Sequence, residues 1–180
     1  LAAVLADAQR PVLIAGRGAR HARSELLELG DAAGALLATS AVAKGLFHGS
    51  PWSLDVSGGF ASPLAAELIG AADIVVGFGC ALNMWTTRHG RLIGSGARVA
   101  QVDLEASALG RHRPIDHGVV GDSATTARAV SEAWRGQEKA GYRNEATRLA
   151  ADLKVKIVGP LDGLRPADLM GAHVALVLGG

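Results

Sequence analysis

Cysteine, aromatic side chains, net charge and long apolar runs are all scarce in this chain, and each scarcity excludes a class of function. Cys80 is the single cysteine, so an internal disulfide is excluded, and a lone thiol suits a reducing cytoplasm. Aromatic residues make up 4%, too few for a platform that stacks bases. The formal charge is +1, which gives no long-range attraction to nucleic acid or to an anionic membrane. No apolar run approaches the roughly 20 residues that span a bilayer, and no signal peptide opens the chain. The six histidines, at 21, 48, 89, 112, 117 and 173, lack zinc-ligand spacing and read as solvated loop residues. The chain starts at Leu1 inside a helical pattern and stops at Gly179-Gly180 after an apolar run. Both ends are therefore expected to be cuts within something longer.

What is present is a globular composition: 180 residues, 49% hydrophobic, enough for one domain with a sizeable core. Leu1 to Gln9 reads as a helix, ended by Pro11, which has no N–H to donate. Val12 to Ala15 is a short β-branched run, the mark of a strand buried on both faces. Gly16 and Gly18 follow, with a helical pattern resuming near His21 and clear from Ser24 to Ala33, where Gly34 stops it. Ala35–Thr39 reads as the second strand, and a loop is expected from Lys44 through Gly58-Gly59. Ser62 and Pro63 open a helix to Ala71. Asp73–Gly79, Ala97–Val102 and His117–Val120 read as further strands, and Ser123 as the cap of a helix to Trp134 that faces the core with Ala124, Ala127, Val130, Ala133 and Trp134. Gln137–Lys156 reads as a helical connector, broken at Gly159–Gly163, and Val174–Leu178 as a last strand. Strands alternating with helices predict an α/β domain: a three-layer, Rossmann-like parallel sheet with helices on both faces. Val12–Ala15 is expected at its centre, flanked by Ala35–Ala38 and Ile74–Phe78.

In such a sheet ligands bind outside the carboxyl ends of the strands, where the strand order reverses. The residues arriving there are Gly16, Arg17 and Gly18, then Ser40 and Ala41, then Gly79, Cys80 and Ala81, and finally Asp103 and Asp122. Backbone amides, one guanidinium and two carboxylates suit a nucleotide, with the glycine amides and Arg17 on the diphosphate and a carboxylate on the ribose or the adenine amine. They do not suit bond breaking, because no nucleophile is paired with a base. Cys80 reads either as a small packing element or as a thiol activated near a helix N-terminus. A free-standing dinucleotide-binding redox module is the alternative reading. Against it, His21 stands where the third glycine of the fingerprint belongs, and the second strand ends in Thr39-Ser40 rather than in a ribose-binding carboxylate.

Five stretches together resemble the central domain of thiamine-diphosphate-dependent enzymes, the acetolactate synthase, pyruvate decarboxylase and benzoylformate decarboxylase superfamily. They are Arg10–Gly18, Thr39 through Ala43-Lys44-Gly45, Ala72–Gly79, Val99–Asp103 and Val119–Asp122, with order and spacing that fit from Leu1 to Trp134. Leu164–Leu169 is similar to the family's linker into its third domain. The resemblance implies a fold of the DHS-like NAD/FAD-binding type. It also implies a central domain over 1–136, with 137–180 forming a connector and the start of that linker.

The resemblance further implies that this domain carries no thiamine chemistry. In the family the third domain holds thiamine diphosphate and Mg²⁺ through a Gly-Asp-Gly motif and a downstream Asn, while the first supplies the activating glutamate. Gly121-Asp122-Ser123 with Asn144 only imitates that motif, since Ser123 replaces its second glycine. The chain alone is thus expected to be a non-catalytic, nucleotide-binding-type scaffold. Its partners are the missing catalytic domains of a homo-oligomeric parent, with no nucleic acid or membrane. Central domains of the family hold FAD, ADP or nothing. Where the FAD loops resemble Gly-Met-His-Gly and an Arg, this chain has Asp55-Val56-Ser57-Gly58 and Cys80-Ala81, which leaves ADP as the better match.

Overall fold

Pro11–Ala15 forms strand β1, and all five of its residues are buried, as a strand covered on both faces requires. The computed structural model describes residues 1–134, 141–144 and 147–148. In these, β1 pairs in parallel with β2 (Leu36–Thr39) and with β4 (Ile74–Phe78), Val12 lying opposite Leu36 on one side and Val75 on the other. With β3 (Ser53–Val56), β5 (Arg98–Asp103) and β6 (His117–Val120) the order is β3-β2-β1-β4-β5-β6, every pairing parallel. The order reverses between β1 and β4, which puts the crevice for a ligand there.

Alternation along β1 serves two cores. Leu13 and Ala15 join Leu26 and Leu29 of α2 (Arg23–Ala33), Leu5 of α1 (Ala2–Ala6) and Ala127, Val130 and Trp134 in or just after α4 (Ser123–Ala133). Val12 and Ile14 face Ala65 and Ile69 of α3 (Pro63–Gly70). The result is the expected three-layer, Rossmann-like α/β domain. No helix among the described residues is long and apolar enough to cross a membrane.

Local chemistry sets the helix ends. Ser62 Oγ accepts from the Ala65 amide at 3.1 Å, and Gly34 closes α2 in the left-handed region at φ 61°. The fourth helix departs from expectation: its cap is Asp122, whose carboxylate accepts from the Thr125 amide, and Ser123 is its first residue. Ala133 is exposed rather than core-facing. The second departure is β3, which lies inside the stretch read as loop. It is a four-residue edge strand, buried only at alternate positions, meeting β2 through an irregular register with Asp55 at φ 60°. Nothing so short and half-polar carries a periodic signal.

The amino edge of the sheet is fastened by side chains. The Asp73 carboxylate accepts from the amides of Gln9 at 2.7 Å and Arg10 at 2.9 Å, fixing the approach to β1 beside the start of β4. Tyr142 donates its amide to the Gly34 carbonyl and its hydroxyl to that of Leu68, at 2.8 and 2.9 Å. Arg143 pairs with Asp31, donates Nε to the Ala35 carbonyl at 2.8 Å and lies 5.1 Å over the Trp52 ring. Most of the expected connector over Gln137–Lys156, its break at Gly159–Gly163 and the strand expected at Val174–Leu178 lie outside the described residues.

At the reversal the backbones nearly touch: a Cβ on Gly16 would stand 2.1 Å from the Gly79 carbonyl oxygen and 2.5 Å from Cys80 Cα. Backbone cannot yield as a flexible side chain can. Gly16→Ala should therefore cost about 3 kcal/mol in urea unfolding, whereas Gly59→Ala should stay within about 0.5 kcal/mol. The second expectation rests on open space, since nothing lies within 4 Å of a Cβ at Gly59.

Candidate functional site

The loop after β1 bends at Gly16 into a single turn, Arg17–Ala19, and α2 then begins at Arg23 with no side-chain cap. Gly16 donates its amide to the Phe78 carbonyl at 2.9 Å, and Gly18 donates to Gly79 at 3.1 Å. Both amides assigned to a diphosphate are thus already bonded within the protein. This corrects the sequence-based expectation: these glycines are small so that two loops can meet, and they do not present donors. Gly79 completes the contact at φ +50°, where a Cβ would be 2.5 Å from the Gly18 carbonyl carbon.

Other binding groups stand around that contact. Arg17 is exposed. Ser40 follows β2 and donates its amide to the Ala15 carbonyl at 2.8 Å, which places it beside the end of β1. The residue is 7% exposed, yet its Oγ has no hydrogen-bond partner among the described residues. A buried hydroxyl without a partner costs about 1–3 kcal/mol, so Ser40 Oγ is a group with bonding capacity to spare at this edge. Ala41 is exposed and opens the turn Ala41–Ala43. Arg20 and Arg23 tie this loop down, Arg20 on the Val42 carbonyl and Arg23 on those of Leu46 and His48.

Cys80 is buried, and burial pushes its thiol up to about 11, which supports the packing element over the activated nucleophile of the two readings. Its carbonyl accepts from Gln101 Nε2 at 3.1 Å; the same side chain accepts from the Gly110 amide at 2.9 Å and donates to Ala108. Gln101 went unnoticed in the sequence as a site residue. Its only signal was an amide flanked by Ala100 and Val102 in an apolar strand. Ala81 is exposed at the crevice.

The two carboxylates differ in kind. The carboxylate of Asp103, half-buried at the end of β5, accepts from the Glu105 amide at 3.2 Å and, among the described residues, from no other donor. Asp122 is engaged, accepting from the Thr125 amide at 2.9 Å and pairing with His21 Nε2 at 2.7 Å. Those bonds, the capping one first, hold its carboxyl at about 2. The structure therefore gathers Gly16, Arg17, Gly18, Ser40, Gly79 and Cys80 on three adjacent strand ends, places Asp103 one strand away, and turns Asp122 to helix capping.

Two further loops complete the edge. Asn83 Oδ1 accepts from the amides of Trp85 and Thr86, both at 3.1 Å. The turn Ser57–Phe60 is stitched to them: Ser57 Oγ donates to the Thr86 carbonyl at 2.8 Å and the Gly59 amide to that of Trp85 at 3.1 Å. Among the described residues no group of three His, Cys, Asp or Glu could hold a metal ion.

Asp122 offers a direct check. Because folding lowers its pKa, its stabilisation is complete above the ordinary carboxylate value near 4 and fades as the pH falls towards 2. Asp122→Ala should lose about 1 kcal/mol at pH 7. Asp122→Asn, which still caps, should keep most of that and flatten the acid limb between pH 4 and 2 in thermal melts.

The family model described as "Thiamine pyrophosphate enzyme, central domain" matches residues 1–130. Among curated proteins the chain is 30% identical over 131 residues to the "Oxalyl-CoA decarboxylase" of Escherichia coli, covering 71% of this chain and 22% of that protein. It is 30% identical over 155 residues to the "Sulfoacetaldehyde acetyltransferase" of Rhodobacter capsulatus, covering 83% and 26%. With the "Probable acetolactate synthase large subunit" of Methanocaldococcus jannaschii the identity is 26% over 130 residues, covering 71% and 22%. The chain thus spans about a quarter of the length of these relatives. On the family-model match, with which its fold is consistent, the chain belongs to the central-domain family of thiamine pyrophosphate enzymes.

Proposed function

We propose that this chain is the non-catalytic scaffold domain of a longer thiamine-diphosphate-dependent decarboxylase or carboligase, acetolactate synthase-like, with an adenine-nucleotide site on its carboxyl edge. Residues 1–136 form the domain in this reading, and 137–180 lead towards the cofactor-binding domain of a cytoplasmic, homo-oligomeric parent. The observation that carries the reading is the composition of the edge: binding groups converge there, while its one thiol is buried and protonated at neutral pH. Thiamine diphosphate and Mg²⁺ do not fit the described residues, because Asp122, the carboxylate of the imitated motif, is occupied by a helix cap and His21. They belong to the parent's other domains.

An ADP-like ligand fits better than FAD. The unpartnered Ser40 hydroxyl and the exposed Arg17 would meet the diphosphate, and Asp103 the ribose hydroxyls or the adenine amine. The positions matching the family's FAD loops, Asp55–Gly58 and Cys80-Ala81, are the end of β3 running into a stitched turn, and a buried thiol beside an exposed alanine. Since the glycine amides are engaged, affinity depends on Arg17 and the start of α2, which contributes about 0.3–1 kcal/mol. A dissociation constant of roughly 0.1–1 mM is expected, about −4 to −5.5 kcal/mol.

Titrating ADP into isotope-labelled protein tests this. Amide shifts should appear at Arg17, Ser40 and Asp103, and Arg17→Ala should weaken binding about tenfold or more, as the loss of a charge-assisted bond predicts. No shifts by millimolar ADP, or identical shifts in the variant, would leave a scaffold without a nucleotide.

A further inference from the structure

The exposed large hydrophobic residues are not scattered. Among the described residues they are Val42, Phe60, Met84, Trp85, Leu104 and Val120. Each stands at or just beyond the carboxyl end of a strand: Val42 after β2, Phe60 after β3, Met84 and Trp85 after β4, Leu104 after β5, and Val120 closing β6. The helix surfaces and the amino edge show none among the described residues. Isolated exposed apolar residues need no explanation, but six on one edge do.

Three of them are held together. Phe60 is 74% exposed, Trp85 69% and Met84 47%, on the two loops that Ser57, Gly59 and Asn83 stitch into one body. Gly58 seals the junction at φ +87°, with the Trp85 carbonyl 1.9 Å from where a Cβ would be. Arg88 adds a bond from Nη2 to the Ala61 carbonyl at 3.2 Å. Ordering a surface loop to this degree while leaving Trp, Phe and Met in water is unfavourable for an isolated domain. These residue types are the ones enriched at the centre of protein interfaces.

We propose that Phe60, Met84 and Trp85 form a preformed docking knob for an apolar, acid-rimmed surface on a flanking domain of the longer polypeptide. The inference rests on the scaffold reading above. Charge selects the occupant. Neither Val56–Ser62 nor Leu82–Gly96 contains an Asp or Glu, whereas the second carries Arg88, His89 and Arg91. A second copy of this chain would set Arg88 and Arg91 against their own like charges, and a nonpolar partner without carboxylates would leave the guanidinium charges uncompensated. The amount of chain available also agrees, because relatives carry about three quarters of their length outside the matched region.

Hydroxyl-radical footprinting of the longer polypeptide and of this 180-residue chain decides the matter. Labelling of Phe60, Met84 and Trp85 should be strong in the short chain. It should fall about tenfold in the longer one, as for side chains moved into an interface core. Arg91→Glu in the longer polypeptide should restore much of the labelling. Equal labelling in both forms would overturn the proposal. So would protection in the short chain that grows with concentration and sediments as a dimer, which would identify a second copy. Thiamine-dependent turnover of a 2-oxo acid by the longer polypeptide reads the scaffold role separately, so failure of docking and failure of that role remain distinct.

Discussion

The structure depends on the close approach of two backbones at the point where the sheet reverses direction. Gly16 and Gly18 on one loop and Gly79 on the other leave no room for side chains between them, with Gly79 in a left-handed conformation. Their amides and carbonyls bond across the gap, so β1 and β4 are joined beyond their ladder. Several consequences follow from this one contact. Cys80 is pressed into the core and its thiol stays protonated. The glycine donors are withdrawn from any ligand. The polar groups left open on that edge include Arg17, the Ser40 hydroxyl and Asp103.

The two edges of the sheet divide the work. At the amino edge, Asp73, Tyr142 and Arg143 fasten the segments before β1 and after α4 to the starts of strands and the ends of helices. The carboxyl edge carries the exposed apolar residues and the unpartnered hydroxyl.

Where the sequence was legible, a strong physical constraint repeated itself locally. Val12–Ala15 and Ile74–Phe78 could only be doubly buried strands, and Ser62-Pro63 and Gly34 carry capping chemistry within three residues of the helix end they set. The central trio of strands followed from that. Illegible features depended on distance in the chain. Whether a glycine amide is free depends on a carbonyl more than sixty residues away, as Gly16 and Phe78 show. Asp122 looked like a ligand because nothing local betrays His21, 101 residues earlier, as its partner. The knob of Phe60 and Trp85 was equally hidden, since each residue alone reads as an ordinary loop aromatic. Strand β3 failed for the opposite reason: its signal was local but too short and too polar to stand out.

The central claim is that this domain organises thiamine chemistry without taking part in it. Calorimetric titration of thiamine diphosphate with Mg²⁺ into the 180-residue chain tests that most directly. The account predicts no saturable heat, because Asp122 is committed to the Thr125 amide and His21, and no group of three His, Cys, Asp or Glu that could hold a metal ion stands among the described residues. Saturable binding at micromolar cofactor, about −8 kcal/mol, would contradict it.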